Sequence, residues 1–239
     1  MVCAVALVGC AGVPLHITPE CRYDADAKTL SLAGKIDAGM ADCVGRFAGR
    51  PIERVRVNTL GGDVRSALSI ADTLAAAEPV VEVIRFCASS CANYVLPVAR
   101  RVEVAPDAVV ILHGSVDEGL LRRVADDPHV RERSRELVDA QEAFRQRHGV
   151  HPGWLLLRED YERTPLSPHI EGDVRDFDGE EPRHVRGFAV RPGFAQSCLP
   201  DVPFVWRGST DPSPETRRNL DRNGWADTLA MRCRDGDLL

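Results

Sequence analysis

At 239 residues, with 44% hydrophobic and 28% charged residues, the chain can bury a sizeable core and is neither disordered nor collagen-like. At roughly 150 residues per domain, its length suits one domain with additions or two small ones. A net charge of −6 argues against a broad nucleic-acid-binding surface. All but two of the 30 basic residues are Arg, the exceptions being Lys28 and Lys35, so no lysine base is available beyond position 35.

Residues 1–15 (MVCAVALVGCAGVPL) are uncharged and apolar. They are too short to span a bilayer as a helix and read as the h-region of a secretory signal. Leu7-Val8-Gly9-Cys10 resembles the lipobox of bacterial lipoproteins, whose Cys is lipidated and becomes the mature N-terminus. No Lys or Arg precedes Cys10 to form a positive n-region, and a buried first strand is the alternative reading. Six cysteines follow: Cys21, Cys43, Cys87, Cys91, Cys198 and Cys233. An even number is compatible with three disulfides in an oxidising compartment, among fifteen connectivities. Sequence order favours 21–43, 87–91 and 198–233, with buried free thiols as the alternative. A zinc site is disfavoured, because Cys87-x-x-x-Cys91 has no second ligand pair at zinc-finger spacing.

In chain order, TLSLA at 29–33 alternates in part and leads into a helical stretch near 38–47. IERVRVN at 52–58 alternates Val with Arg as a strand does, and Gly61-Gly62 breaks it. Apolar residues at 64, 67, 68, 71, 74 and 75 form one face of a helix, which Pro79 stops. VVEVI at 80–84 predicts a buried strand, residues 90–100 a closely packed helix, and VVIL at 109–112 another strand. This alternation argues for right-handed βαβ units and a mainly parallel sheet. A charged helix is predicted over 129–148, with Val130, Leu137, Val138, Ala140 and Phe144 inward, and a short one over 152–158. Half of the 16 prolines lie beyond Thr164 without a long periodic run, which predicts an irregular C-terminal appendage. The expected division is a signal segment at 1–20, an α/β domain at 21–168 and the extension at 169–239.

Three stretches stand at ends of predicted strands, where open α/β sheets place their sites. Gly61 and Gly62 allow positive φ and leave N–H groups uncovered at a helix start, although such a pair is more often a plain turn. Cys87-Ala88-Ser89-Ser90-Cys91 puts two serines where a strand gives way to a helix, and Ser as a helix cap is the bland alternative. His113 follows the VVIL strand, 23 residues after Ser90. Together they suit a nucleophile, a general base and an oxyanion hole.

On these residues the chain resembles the proteolytic subunit of Clp proteases, within the crotonase-like superfamily, from about Leu30 to Ser167. The family's Asn-Ser-Pro-Gly-Gly oxyanion turn is similar to Asn58-Thr59-Leu60-Gly61-Gly62, its Ala-Ala-Ser-Met motif to Ala88-Ser89-Ser90-Cys91, and its strand ending in His to VVILH. The resemblance implies a fold of repeated ββα units with Ser90 as nucleophile, His113 as base, and oxyanion donors from Gly62 and Cys91. It implies a peptide or protein substrate and no cofactor, and leaves a homo-oligomer open. The likeness is greatest to exported relatives of unknown substrate in which Cys-Ala-Ser-x-Cys surrounds the nucleophile. With the lipobox-like Leu7-Val8-Gly9-Cys10, the expectation is a periplasmic protein held at the membrane through Cys10. Two departures stand out: Leu60 replaces the turn's proline, and no Asp sits in the family's third-residue register, where Thr164 falls. Asp160 is the expected orienting acid, with Glu162 second. A catalytically impaired binding or scaffold protein on the same fold is the runner-up. A Ser-Lys peptidase and an acyl-CoA-processing enzyme fit less well.

Overall fold

The structure is a computed structural model and describes residues 17–115, 128–155, 167–182 and 185–234. Alternation sets its first elements. β1 (Glu20–Asp24) and β2 (Thr29–Ala33) form an antiparallel hairpin, and Leu30 and Leu32 point into the core. Helix α1 (Ala38–Gly45) starts at Asp37, whose carboxylate accepts from the Met40 N–H and so satisfies one of the donors a helix start leaves open. β3 (Arg54–Thr59) buries Val55 and Val57 and exposes Arg56. Helix α2 (Val64–Ala75) is capped by Asp63 and buries Ala67, Leu68, Ile70, Ala71 and Leu74 along one stripe.

β4 (Val80–Ala88) runs four residues beyond the expected strand. That length gives it two partners along one edge, while β3 pairs along the other. Val80–Val83 pair in parallel with β5 (Arg101–Val104), and Phe86–Ala88 pair in parallel with β6 (Val109–Leu112). Between β4 and β5 the expected helix is a single π-helical turn, Cys91–Val95. Helices α3 (Pro128–Arg147) and α4 (Pro152–Leu155) follow. The inner face of α3 corrects the expectation: Ser134, Gln141 and Phe144 are buried, while Ala140 is exposed and Leu137 and Val138 are half-buried.

The segment beyond residue 168 differs most from expectation. It contains β7 (Ile170–Gly172), β8 (Gly187–Ala189), helix α5 (Pro192–Cys198), β9 (Phe204–Trp206), helix α6 (Pro214–Arg222), β10 (Trp225–Asp227) and β11 (Met231–Cys233). β8, β9 and β10 belong to the main nine-stranded sheet: β9 pairs with β5 in parallel, and β8 joins β6 antiparallel and carries β10. β7 and β11 form a small antiparallel pair. This segment is therefore woven into the sheet instead of appended to it. Each of its strands is three residues long, too short for a period-2 pattern to show. The whole is a mixed α/β fold with a mainly parallel sheet; only the β1–β2 and β6–β8 pairings of the main sheet are antiparallel.

Two charged clusters fasten the late strands. Glu103, 4% exposed, accepts from Arg54 at 2.7 Å, from Arg101 at 2.6 Å and from Arg207, so β3, β5 and the end of β9 meet on one carboxylate. Burial alone would raise its pKa, but the hydrogen bonds from Arg54 and Arg101 and the charge of Arg207 outweigh burial and hold it below the ordinary carboxylate range. Arg191, at the start of α5, forks onto Asp227 at the end of β10, with N–O distances of 2.7 and 2.6 Å. Disulfides join Cys21 to Cys43, Cys87 to Cys91 and Cys198 to Cys233, the pairs that sequence order favours. Among the described residues no helix is long and apolar enough to cross a membrane. Cys10 lies outside the described residues.

Candidate active site

Two strand ends build the site. β3 stops at Thr59, whose hydroxyl accepts from the Gly61 N–H at 3.0 Å and turns the chain. Gly61 has φ +88°, and a Cβ there would lie 2.6 Å from both the Ala88 carbonyl oxygen and the Ser89 Cβ. At Gly62 a Cβ would meet the Ile36 oxygen at 2.1 Å. The glycine pair is thus more than a turn, because Gly61 lets the end of β3 lie directly against the end of β4 and Gly62 lets it lie against Ile36. Asp63 then caps α2, accepting from the backbone N–H and the hydroxyl of Ser66. The Ser66 hydroxyl, ahead of its N–H, holds the Asp63 carboxyl below its usual range against the opposing effect of burial.

β4 ends with equal abruptness. Ser89 takes the left-handed φ of +57°, unusual for a residue with a Cβ, and Ser90 returns to helical angles. A non-glycine residue held in that region stores backbone strain, which persists only where the surroundings enforce it. Here the Ser89 N–H donates to Ile111 O at 2.9 Å and the Ser89 carbonyl accepts from Asn93 N at 2.9 Å. The Cys87–Cys91 disulfide spans the same corner with a Cα–Cα distance of 5.3 Å. The outcome is that Ser90 Oγ accepts from the Gly62 N–H at 2.8 Å and lies 3.2 Å from the Gly62 carbonyl, to which it donates. Ser90 is 2% exposed, whereas Leu60 and Gly62 are exposed, so the hydroxyl lies just under the surface.

The β4–β6 register brings His113 to the same edge. Ala88 pairs with Ile111, so Ser90 and His113 each stand two residues beyond paired positions on adjacent parallel strands. His113 is half-buried. Cys91 opens the π-helical turn, where N–H groups have no intrahelical partner. Of the expected site residues, Gly62 is hydrogen-bonded to Ser90, Cys91 follows it and is tied back to Cys87, and His113 stands beyond the end of the adjacent strand. Cys21–Cys43 and Cys198–Cys233 fasten other parts of the molecule. Asp160, Glu162 and Thr164 lie outside the described residues.

Sequence reasoning missed a third layer. Behind Ser90, Asn93 donates through Nδ2 to Gly114 O at 3.1 Å. Tyr94, fully buried, contacts Ser115 Oγ and donates to Gln141 Oε1 of α3 at 2.7 Å. Trp154 of α4 donates from its indole to Ala92 O at 3.0 Å. A polar Asn-Tyr pair inside an otherwise apolar CANYV stretch was the available signal.

No family model matches the chain, and no curated protein matches it. Among solved structures, a point mutant of ClpP1 from Listeria monocytogenes is similar at 18% identity over 52% of this chain and 80% of that chain, with a TM-score of 0.36.

Proposed function

We propose that this chain is a serine peptidase with Ser90 as nucleophile and His113 as general base. The observation that carries the reading is the 2.8 Å hydrogen bond from the Gly62 N–H to Ser90 Oγ, at a junction that admits no side chain at Gly61 or Gly62. A backbone donor already aimed at the nucleophile lies within reach of the oxyanion that forms when that oxygen attacks. In the reaction Ser90 Oγ bonds to the peptide carbonyl carbon while its proton passes to His113. The carbonyl oxygen, now negative, accepts from the Gly62 and Cys91 N–H groups. Collapse breaks the C–N bond, and the leaving amine takes the proton from His113. Water, giving a proton to His113, then bonds to the acyl carbon, and the C–Oγ bond breaks as Ser90 Oγ takes that proton back. Asp160 serves as the acid that orients the imidazole.

Location belongs to the same proposal. The three cysteine pairs support an oxidising compartment, and the 1–15 segment supports export to the periplasm with anchoring through a lipidated Cys10. Fatty-acid labelling lost in Cys10→Ala tests the anchor. A peptide library digested by the oxidised protein, with products read by mass spectrometry, tests the chemistry. Cleavage absent in Ser90→Ala supports the proposal. Equal cleavage in both proteins, or none in either, moves the chain to a binding role on this fold.

A further inference from the structure

We infer that Asn93 and Tyr94 are positioning residues that hold the loop carrying His113 at the height of Ser90. The inference rests on the reading of Ser90 and His113 as the reacting pair. Their order in the chain makes the device: residues 89–94 contain the nucleophile, and three of them grip residues 111–115, which contain the base. Ser89 N–H holds Ile111 O at 2.9 Å from below. Asn93 Nδ2 holds Gly114 O at 3.1 Å, and Tyr94 Oη meets Ser115 Oγ at 2.5 Å. His113 is the residue between these grips. Gly114 has a φ of +87°, so the chain turns sharply there and the carbonyl that Asn93 holds fixes the sense of that turn.

The roles of each donor follow from chemistry. Burial pushes the Tyr94 hydroxyl up to about 12, so it stays protonated at physiological pH. Its one proton goes to Gln141 Oε1, at 2.7 Å, so the Ser115 hydroxyl donates to Tyr94. The phenol therefore links the His113 loop to α3 as well as to the π-helical turn. Phe144 packs edge-on against the Tyr94 ring at 5.4 Å between centroids and keeps it in place. Trp154 donates to the carbonyl of Ala92, the residue before Asn93, and anchors the turn from the other side. A π-helical turn at a functional site is a recurrent arrangement.

A purely stabilising role does not account for Asn93. The residue is 2% exposed and its Oδ1 meets no partner among the described residues, so the same side chain that makes one hydrogen bond carries a desolvated acceptor. Leucine, of similar size, would relieve that penalty at the cost of the Gly114 contact. Stability alone thus predicts a neutral Asn93→Leu variant, and positioning predicts an impaired one.

The experiment measures inactivation of the full oxidised chain by a fluorophosphonate probe, in which Ser90 Oγ displaces fluoride from phosphorus. Saturation kinetics separate the maximal rate from the half-saturating concentration, and melting curves verify folding. Asn93→Leu and Tyr94→Phe are expected to lower the maximal rate about tenfold or more, as small misplacements of reacting groups do, with half-saturation unchanged. Wild-type maximal rates in the folded variants overturn the proposal, whether or not the melting temperature moves. Should a core variant fail to fold, Ser115→Ala removes the Tyr94 grip from the half-buried loop side, and its rate decides in the same way. A wild type that Ser90-dependent labelling does not touch overturns the nucleophile reading itself, and the positioning role with it.

Discussion

Two concentrations of buried polar groups lie about 20 Å apart along β4, as six residues of extended chain dictate, and they are built in opposite ways. Near the start of the strand, Glu82 and Glu103 are surrounded by Arg54, Arg56, Arg101 and Arg207, and the buried carboxylate of Glu103 is fully engaged. Beyond its end, Ser89 holds a left-handed φ, two glycines press against backbone that tolerates no Cβ, and Asn58 and Asn93 bury carbonyl oxygens without partners among the described residues. Satisfied charges without strain tie strands together. Strain and unpaired polar atoms around an aligned hydroxyl are what the proposed active site would hold. The first cluster should therefore govern stability and the second activity.

Substitutions at both ends of β4 test that division, and the site end should respond most. Ser90→Ala is expected to abolish peptidase activity and fluorophosphonate labelling, and His113→Ala to cost a comparable factor, on the order of 10³ or more, because members of such a pair act as a unit. Neither should lower the melting temperature appreciably. Ser89→Ala should retain much of the activity, since only Ser90 Oγ reaches Gly62.

The other end should respond in the opposite sense. Glu103→Gln removes the charge on which three arginines converge. Those arginines are 31% to 45% exposed, so the loss is about 2 kcal/mol instead of the larger penalty of a fully buried pair. Chemical denaturation reads it, and activity per folded molecule should stay at the wild-type value. The pH dependence has a definite sign. The Glu103 carboxyl is held below the ordinary range in the folded state, so its contribution is complete above the unfolded value near 4.3 and is lost as pH falls through the lower folded value. Wild type should therefore lose stability more steeply than Glu103→Gln below about pH 4.3. Parallel curves would remove Glu103 from the account.

Disulfides sharpen the comparison further. By loop-closure entropy, removing Cys198–Cys233, with 35 residues of separation, should cost about 4 kcal/mol, and removing Cys87–Cys91, with 4, about 2 kcal/mol. Activity should reverse that order, because Cys87 and Cys91 brace the corner that holds Ser90. A Cys87→Ala, Cys91→Ala double mutant with undiminished activity would refute this bracing role. The smallest expected effect is at Asp63: Asp63→Ala removes the α2 cap and should cost about 1 kcal/mol, read in the denaturation midpoint.

Which parts of this were legible in the sequence follows from how local each signal is. Val55 and Val57, the stripe from Ala67 to Leu74, and VVIL at 109–112 announce themselves within a few residues, and the structure places elements there. Gly61-Gly62, Ser90 and His113 were visible as breaks at strand ends, because sheets of this kind gather their chemistry there. The C-terminal strands were not legible, since three residues carry no period and the partners that fasten them, Glu103 for Arg207 and Asp227 for Arg191, are distant in the chain. Nor was the inner face of α3: Leu137 and Val138 look like core in a helical wheel, yet Gln141 is drawn inward by the Tyr94 hydroxyl. That contact joins residues 47 positions apart, beyond the reach of any local pattern.

The central claim is that the corner between β4 and the π-helical turn activates one hydroxyl. Fluorophosphonate labelling of the oxidised chain, followed by peptide mapping, tests it most directly. The account predicts a single modified residue, Ser90, with labelling lost in both Ser90→Ala and His113→Ala. Labelling that persists in Ser90→Ala, or a folded wild type that the probe leaves untouched, would contradict it.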